Sequence, residues 1–324
     1  MMNNTTQTTT PTDFEEDVIK GLTDYPKHLS SRFMYDKKGD KLFQDIMAMP
    51  EYYLTTCEYT ILEHQSSNIS EKFKLEEGFD LIELGAGDGK KTKLLLNHLV
   101  EIGANFSYLP VDISQNVLDE LGNALNNELP KVSYKLLQGS YFDVLNQLSS
   151  YDKRQKVILV LGSNIGNLMH EDAIDFLSKI EENMSSEDLL FMGFDQKKHP
   201  QTILDAYNDA KGLTEAFNKN LFVRMNEEFD ANFDLDSFFH WETYDPETGT
   251  AKSFLVSNKA QQIKIPKLEL TVDFKAWETI HTEISQKYGD ETVEWLASEA
   301  NLNIDRVFES EDGYYKNYTF KKMR

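Results

Sequence analysis

The stretch that most constrains this chain is Phe79-Asp-Leu-Ile-Glu-Leu-Gly-Ala-Gly-Asp-Gly-Lys-Lys-Thr92. An apolar run ends in Glu83, glycines follow at alternate positions (Gly85, Gly87, Gly89), and a helical pattern begins at Lys90. The pattern predicts a buried strand, a tight turn and the first turn of a helix. Glycine tolerates positive φ and lets a ligand approach the backbone closely. The helix start adds unpaired N–H groups and a partial positive charge.

Dinucleotide sites place their third glycine three positions after the second, whereas these alternate. With Glu83 two residues ahead, the loop resembles the first motif of S-adenosylmethionine-dependent methyltransferases. A second segment agrees with it. Phe106-Ser-Tyr-Leu-Pro-Val-Asp-Ile113 reads as the next strand, ending in Asp112. An acid at that tip can accept both ribose hydroxyls of a nucleoside. Asp112 or Ser114 can equally cap the helix that starts near Gln115. Strand, glycine turn, helix, strand and acid in this order favour the cofactor reading.

The alternation continues through residue 196. Helices are expected over 91–102 and 116–127, and strands over 132–137, 156–161 and 189–194. In the run over 156–161 every residue after Lys156 is apolar, as in a strand buried on both faces of a parallel sheet. In such sheets ligands lie beyond the carboxyl ends of the strands, where Glu83, Asp112, Ser163, Asn167 and Asp195 fall. Past Lys197 the pattern changes. Helices are expected within 202–226, antiparallel strands over 233–244, 252–256 and 260–265, and helices over 276–287 and 292–300. A closing hairpin, 304–308 with 317–321, is placed to cap the sheet edge.

Charge and cysteine content narrow the partners. The 324 residues hold 33 Lys and Arg against 55 Asp and Glu, a net charge of −22. Phosphate backbones demand basic patches, so neither nucleic acid nor an anionic membrane is expected as partner. No apolar run approaches the ~20 residues that span a bilayer. The start has neither a basic cluster nor an apolar core, so it is no secretory signal, and residues 1–12 read as a disordered polar tail. Cys57 is the only cysteine, which excludes an internal disulfide or a thiolate metal cluster. A cytoplasmic monomer acting on a small molecule is expected. The seven histidines lack the spacing of a metal site, so no metal is expected. Trp241, Trp277 and Trp295 are expected in the core.

Four further segments carry a closer resemblance: Phe33-Met-Tyr-Asp-Lys-Lys-Gly-Asp-Lys-Leu-Phe43, Met49-Pro-Glu-Tyr-Tyr-Leu-Thr55, Leu161-Gly-Ser-Asn-Ile-Gly-Asn167 and Glu283-Ile-Ser-Gln-Lys-Tyr288. With the glycine loop, they resemble the histidine-specific methyltransferases of ergothioneine biosynthesis, from about residue 21 to the end. The resemblance implies an α/β, Rossmann-like methyltransferase sheet, mostly parallel with an antiparallel C-terminal hairpin, and an inserted α+β substrate domain. The domains would be a tail over 1–12, a helical segment over 13–57 contributing to the substrate domain, a cofactor domain over 58–196 and 286–324, and an insert over 197–285.

The implied reaction is methylation of the α-amine of L-histidine to trimethylhistidine, hercynine, with S-adenosylmethionine as cofactor. By motif, Asn167 and Tyr207 would hold the substrate carboxylate, and Glu283 and Ser285 would grip the imidazole. Tyr35 and Tyr52 would line the amine side and serve catalysis. Glu83, Gly85, Gly87, Gly89, Lys91 and Asp112 would form the cofactor site. Two positions depart from the family. Its Asp-Phe pair near the adenine is Ser140-Tyr141 here, with Asp143 a possible substitute. A methionine expected beside the imidazole is Ser253. Glu283 and Ser285 raise a further point: two residues apart on a helix diverge by about 200°. Both can meet one ring only if the helix expected over 276–287 ends near Ile284 or the backbone there is extended. The rival readings are a methyltransferase of the same fold acting on another amino acid or amine, and a cofactor-binding module without turnover.

Overall fold

A computed structural model describes residues 12–149 and 154–323. The expected tail over 1–12 lies outside the described residues except for Thr12. That residue caps the first helix: its hydroxyl accepts from the Glu15 N–H at 3.3 Å, and the Glu15 carboxylate accepts from the Thr12 N–H at 2.5 Å, a reciprocal capping box.

In chain order the elements begin with α1 (Asp13–Thr23), β1 (Lys27–His28), α2 (Lys37–Met47) and α3 (Tyr53–Ser70). Alternation follows: β2 (Phe79–Leu84), α4 (Thr92–Glu101), β3 (Phe106–Asp112), α5 (Gln115–Glu128), β4 (Leu137–Gln138), α6 (Tyr141–Ser149), β5 (Gln155–Val160), α7 (His170–Glu182) and β6 (Leu189–Asp195). Next come α8 (Pro200–Tyr207), α9 (Leu213–Phe229), β7 (Phe238–Asp245), β8 (Thr250–Ser257), β9 (Gln261–Ile265), β10 (Leu270–Phe274) and β11 (Thr279–Gln286). The chain closes with α10 (Asp290–Glu299), β12 (Leu302–Glu309) and β13 (Tyr315–Lys322).

Two compact units result. One takes the described residues up to Tyr52 with His199–Ile284; the other takes Tyr53–Lys198 with Ser285–Arg324. The second unit holds a sheet of order β12-β13-β6-β5-β2-β3-β4. Its strands from β4 to β6 run parallel, and β13 joins β6 antiparallel with β12 outside it. The chain thus reverses direction across the sheet between β2 and β5, the switch point where open α/β sheets bind ligands. β5 is buried at every position, which accounts for the apolar run that follows Gln155 and Lys156, the latter paired with Asp188 at 3.1 Å. The hairpin caps the edge beyond β6 as its alternating sequence leads one to expect. β4 is shorter than expected: only Leu137 and Gln138 pair with β3, and Tyr134 makes a single bridge to Tyr108.

The first unit builds its core between α9 and an order of β1-β11-β8-β7, with β9 and β10 forming a separate hairpin. On α9, Phe217, Leu221, Met225 and Phe229 recur every fourth residue and are all buried, the apolar stripe of an amphipathic helix. The Phe222 ring stacks on Phe233 at 4.2 Å between centroids and tilts onto Phe238 at 4.7 Å.

The structure corrects two expectations here. Residues 276–287 are not a helix; β11 occupies Thr279–Gln286. β-branched Ile280 and Thr282 are buried at alternate positions, a period of two that overrides the helical spacing. The three tryptophans are not core: Trp241, Trp277 and Trp295 are 56%, 68% and 44% exposed. Trp241 stands on the outer side of β7, where Phe238, His240 and Glu242 take the buried positions.

Phe222→Ala should remove a fully enclosed ring and destabilise this unit by about 3–5 kcal/mol. Urea unfolding followed by circular dichroism checks it; a loss under about 1 kcal/mol would contradict the packing described.

Candidate active site

The loop after β2 takes the conformation its glycines allow, with φ of 75° at Gly85, 53° at Gly87 and 63° at Gly89. Side chains there would also collide. A Cβ on Gly85 would lie 2.4 Å from the Tyr141 hydroxyl, and one on Gly89 would lie 2.6 Å from Leu121 Cδ1. Gly85 and Ala86 both donate to the Val111 carbonyl, at 2.9 and 3.2 Å, which ties the turn to β3.

Asp112 closes the turn at the tip of β3. One carboxylate oxygen accepts from the Ser114 N–H at 2.9 Å, the other from the Gly87 N–H at 3.4 Å. Ser114 is the cap of α5, its hydroxyl accepting from the Val117 N–H at 3.4 Å. Asp112 therefore is not the capping residue of α5 and stays half-buried beside the glycine loop. Tyr141 leans on the same place, and burial, reinforced by the charges of Asp112 and Glu83, pushes its hydroxyl up to about 12. Ser140 is turned to other work: its hydroxyl donates to Asp143 at 2.6 Å and accepts the Asp143 N–H at 3.3 Å, at the start of α6.

Glu83 points inward and is 3% exposed. Thr92 donates to Oε1 at 2.5 Å and Tyr108 donates to Oε2. Burial pushes its carboxyl up to about 7, with the two hydroxyls pulling the other way. Lys91, the cap position of α4, pairs its ammonium with Glu58 of α3. At the end of β5, Gly162 and Ser163 both have positive φ, 83° and 56°, and the Ser163 hydroxyl accepts the Asp195 N–H at 3.0 Å. Asn167 ends the 3-10 turn Asn164–Asn167 and is exposed.

Asp195 is fully buried and gathers several donors. Tyr53 donates to it at 2.9 Å, Lys287 pairs at 2.7 Å, and Lys198 pairs as well. Burial pushes the Lys198 ammonium down to about 8, with Asp195 acting against it. Lys287 also donates to the Ser285 hydroxyl at 2.6 Å.

The first unit brings Tyr35, Tyr52 and Tyr207 into one aromatic row. Tyr35 packs edge-on against Phe43 at 5.4 Å, Phe43 against Tyr52 at 6.2 Å, and Tyr52 against Tyr207 at 6.0 Å. Tyr35 keeps 40% of its surface exposed. Even so, enclosure by its neighbours, then the charge of Glu283, holds its hydroxyl well above the usual tyrosine range. Glu283 and Ser285 lie on β11, where residues two apart share a side. Ser253 is buried and donates to Glu242 Oε2 at 2.6 Å; Glu242 is also buried, with His240 Nε2 3.8 Å away. Burial pushes His240 down to about 4, so it is neutral at physiological pH.

Sequence reasoning passed over Glu58, Glu242, Lys198 and Lys287. Glu58 left a trace: it falls in the buried stripe Leu54, Glu58, Ile61, Leu62 of α3, where a charge is out of place unless paired.

Residues 14–322 match the family of histidine-specific, S-adenosylmethionine-dependent methyltransferases. The chain belongs to that family. It is 34% identical over 287 residues to the histidine N-alpha-methyltransferase of Mycolicibacterium smegmatis, covering 88% of each chain. The enzyme of the same name from Mycobacterium tuberculosis is 32% identical over 297 residues, 92% of this chain and 91% of that one. Ergothioneine biosynthesis protein 1 of Schizosaccharomyces pombe is 29% identical over 308 residues, which are 91% of this chain but 39% of that protein. Among the described residues of this family member, no helix is long and apolar enough to cross a membrane.

The raised Glu83 carboxyl makes stability depend on pH. An unfolded glutamate releases its proton near 4.5, while the folded one keeps it to about 7. Its contribution is therefore fully present below about 4.5 and is lost as pH rises through 7. Glu83→Gln removes this titration. Between pH 4.5 and 7 the parent should lose up to about 3 kcal/mol relative to the variant, measured by urea unfolding across that range. Parallel stability curves would show that Glu83 does not titrate there.

Proposed function

We propose that this chain methylates the α-amine of L-histidine, three times in succession, to give hercynine. The observation that carries the reading is β11: extended backbone sets Glu283 and Ser285 on one side of a strand, as two groups gripping one imidazole require. A ring with one N–H and one bare nitrogen offers a donor for the Glu283 carboxylate and an acceptor for a hydroxyl such as Ser285. Asn167 and Tyr207 take the substrate carboxylate. Tyr35 and Tyr52 line the amine.

The residues at the carboxyl ends of β2 and β3 fit S-adenosylmethionine. Gly87, where a Cβ would meet nothing within 4 Å, leaves room for a ligand to approach the backbone, and the Tyr141 hydroxyl lies beside Gly85. Lys91 follows the loop, and Asp112, beside the Gly87 N–H, would accept the ribose hydroxyls, with Ser140 toward the adenine. Glu83 braces that loop from beneath. The cofactor supplies an electrophilic methyl group carried on a sulfonium. The protein's task is alignment and protonation state. An ammonium has no lone pair, but an α-amine titrates near 8, so a fraction is neutral around pH 7. Tyr35, held as a neutral phenol, orients that amine by hydrogen bonding and does not act as a charged base. Positive charge passes to the amine, each ammonium so formed gives a proton to water before the next transfer, and no anion develops on the substrate, so an oxyanion site is unnecessary.

A second reading, the same chemistry on another amino acid, draws on Ser253. Its hydroxyl is engaged by Glu242 where the resemblance leads one to expect methionine. Mass spectrometry of products from S-adenosylmethionine and each standard amino acid decides between them; trimethylhistidine is expected, and no methylated histidine would overturn the first reading.

Two substitutions test the assignments. Asp112→Ala should weaken S-adenosylmethionine binding by about 1.5–3 kcal/mol, the loss of charge-assisted hydrogen bonds; calorimetry showing unchanged affinity in a folded variant would remove Asp112 from the site. Glu283→Ala should lower kcat/KM for histidine by about 2–4 kcal/mol in transition-state terms while cofactor affinity holds. Parent-like turnover of histidine would make Glu283 a bystander.

A further inference from the structure

Glu58 is 0% exposed, yet it carries a carboxylate, and four donors from three separate segments converge on it. Tyr315 and Asn317 of β13 donate to Oε1 at 3.0 and 2.9 Å. The Gly162 N–H donates to Oε2 at 2.7 Å, and the Lys91 ammonium pairs with the same oxygen. A carboxylate has about four acceptor sites, so its capacity is filled. β13 holds one oxygen from behind; the other faces the switch point of the sheet.

What Oε2 holds there are the roots of two loops. Lys91 opens α4 directly after the glycine turn. Gly162 ends β5, and Ser163 follows it in the left-handed region, a conformation that persists only where neighbours enforce it. A Cβ on Gly162 would lie 3.6 Å from Lys91 Nζ, so the ammonium and this loop root are side by side. Removing the charge from Glu58 would leave Lys91 without its counter-ion and free the Gly162 N–H together.

We propose that Glu58 is the positioning residue of the cofactor site: its carboxylate fixes the Lys91 ammonium against the root of the loop that ends at Asn167. The proposal rests on the reading that Lys91 contacts the cofactor. Glu58 touches neither substrate nor cofactor and acts through Lys91.

The test is a double-mutant cycle on the full chain, reading the Kd of S-adenosylmethionine by calorimetry. Glu58→Gln and Lys91→Met should each weaken binding about tenfold, the scale of one charge-assisted hydrogen bond. The double variant should bind no more than about twofold more weakly than Lys91→Met alone, because the second change removes a partner already gone. A purely structural Glu58 gives additive losses, and additivity overturns the proposal. So does parent-like binding by Glu58→Gln when Lys91→Met is weakened. A silent Lys91→Met would instead strike the underlying contact between Lys91 and the cofactor, and the proposal falls with it. If Glu58→Gln does not fold, Tyr315→Phe serves: it removes one rear donor and keeps the charge. A rise in Kd of about threefold is expected, absent in the Lys91→Met background, and no rise, or the same rise in both, overturns the proposal.

Discussion

A hydrogen atom in place of a side chain at Gly85 and Gly89 lets Tyr141 and Leu121 close in on the turn at the head of β2, while a Cβ on Gly87 would meet nothing within 4 Å and that position stays open. Gly85 and Gly89 both have positive φ, and at both a Cβ would collide with a side chain already packed there. The Gly85 and Ala86 N–H groups bind the Val111 carbonyl, so the turn is tied to the neighbouring strand. Its shape is therefore set by β3 as much as by β2. Asp112 sits where that tie ends and takes the Gly87 N–H. Loop, acid and helix start are thus joined by hydrogen bonds within the protein itself, and preorganisation of this kind lowers the ordering cost of binding.

The same edge of the sheet concentrates three buried acids, and each is accommodated differently. Glu83 has only hydroxyl donors and its carboxyl rises to about 7. Glu58 has an ammonium with three neutral donors and fills every acceptor site. Asp195 has two ammoniums, Lys198 and Lys287, and the Tyr53 hydroxyl, which also accepts from Lys198 at 2.8 Å, with solvent excluded. An unpaired buried charge is costly, so each arrangement needs its complete set of partners. Those partners come from α3, β3, the start of α4, β13 and the residues after β5, β6 and β11, segments far apart in sequence. The acids therefore bind the second unit's discontinuous pieces together as well as shaping the strand ends.

This explains what was legible beforehand. The glycine turn, the continuous apolar run of β5 and the alternating hairpin β12–β13 are local patterns with local causes, and each predicts its element. Ser114, not Asp112, caps α5, a choice that depends on how β3 ends. Glu58 and Lys287 could not be assigned from spacing, because their partners meet only after the sheet is assembled. Trp241 fails for another reason: a large apolar residue on a strand is buried only if its side of the strand is covered. On β7 the covered side is that of Phe238, His240 and Glu242.

β11 shows how a wrong element type changes a functional argument. Read as a helix, residues 276–287 set Glu283 and Ser285 on diverging faces, and a solvated charge is the simpler account of Glu283. As a strand, the even positions turn to the other side. There Thr282 donates to Asn218 at 2.6 Å and to the Ser253 carbonyl at 3.1 Å. Those bonds anchor the strand by its inner side and leave Glu283 directed away from them, where its charge is felt by the Tyr35 hydroxyl. Glu283 thus acts electrostatically on Tyr35, one end of the tyrosine row of the first unit. Ser253 enters from the adjoining strand with its hydroxyl committed to Glu242, a buried acid, whereas Glu283 is half-buried.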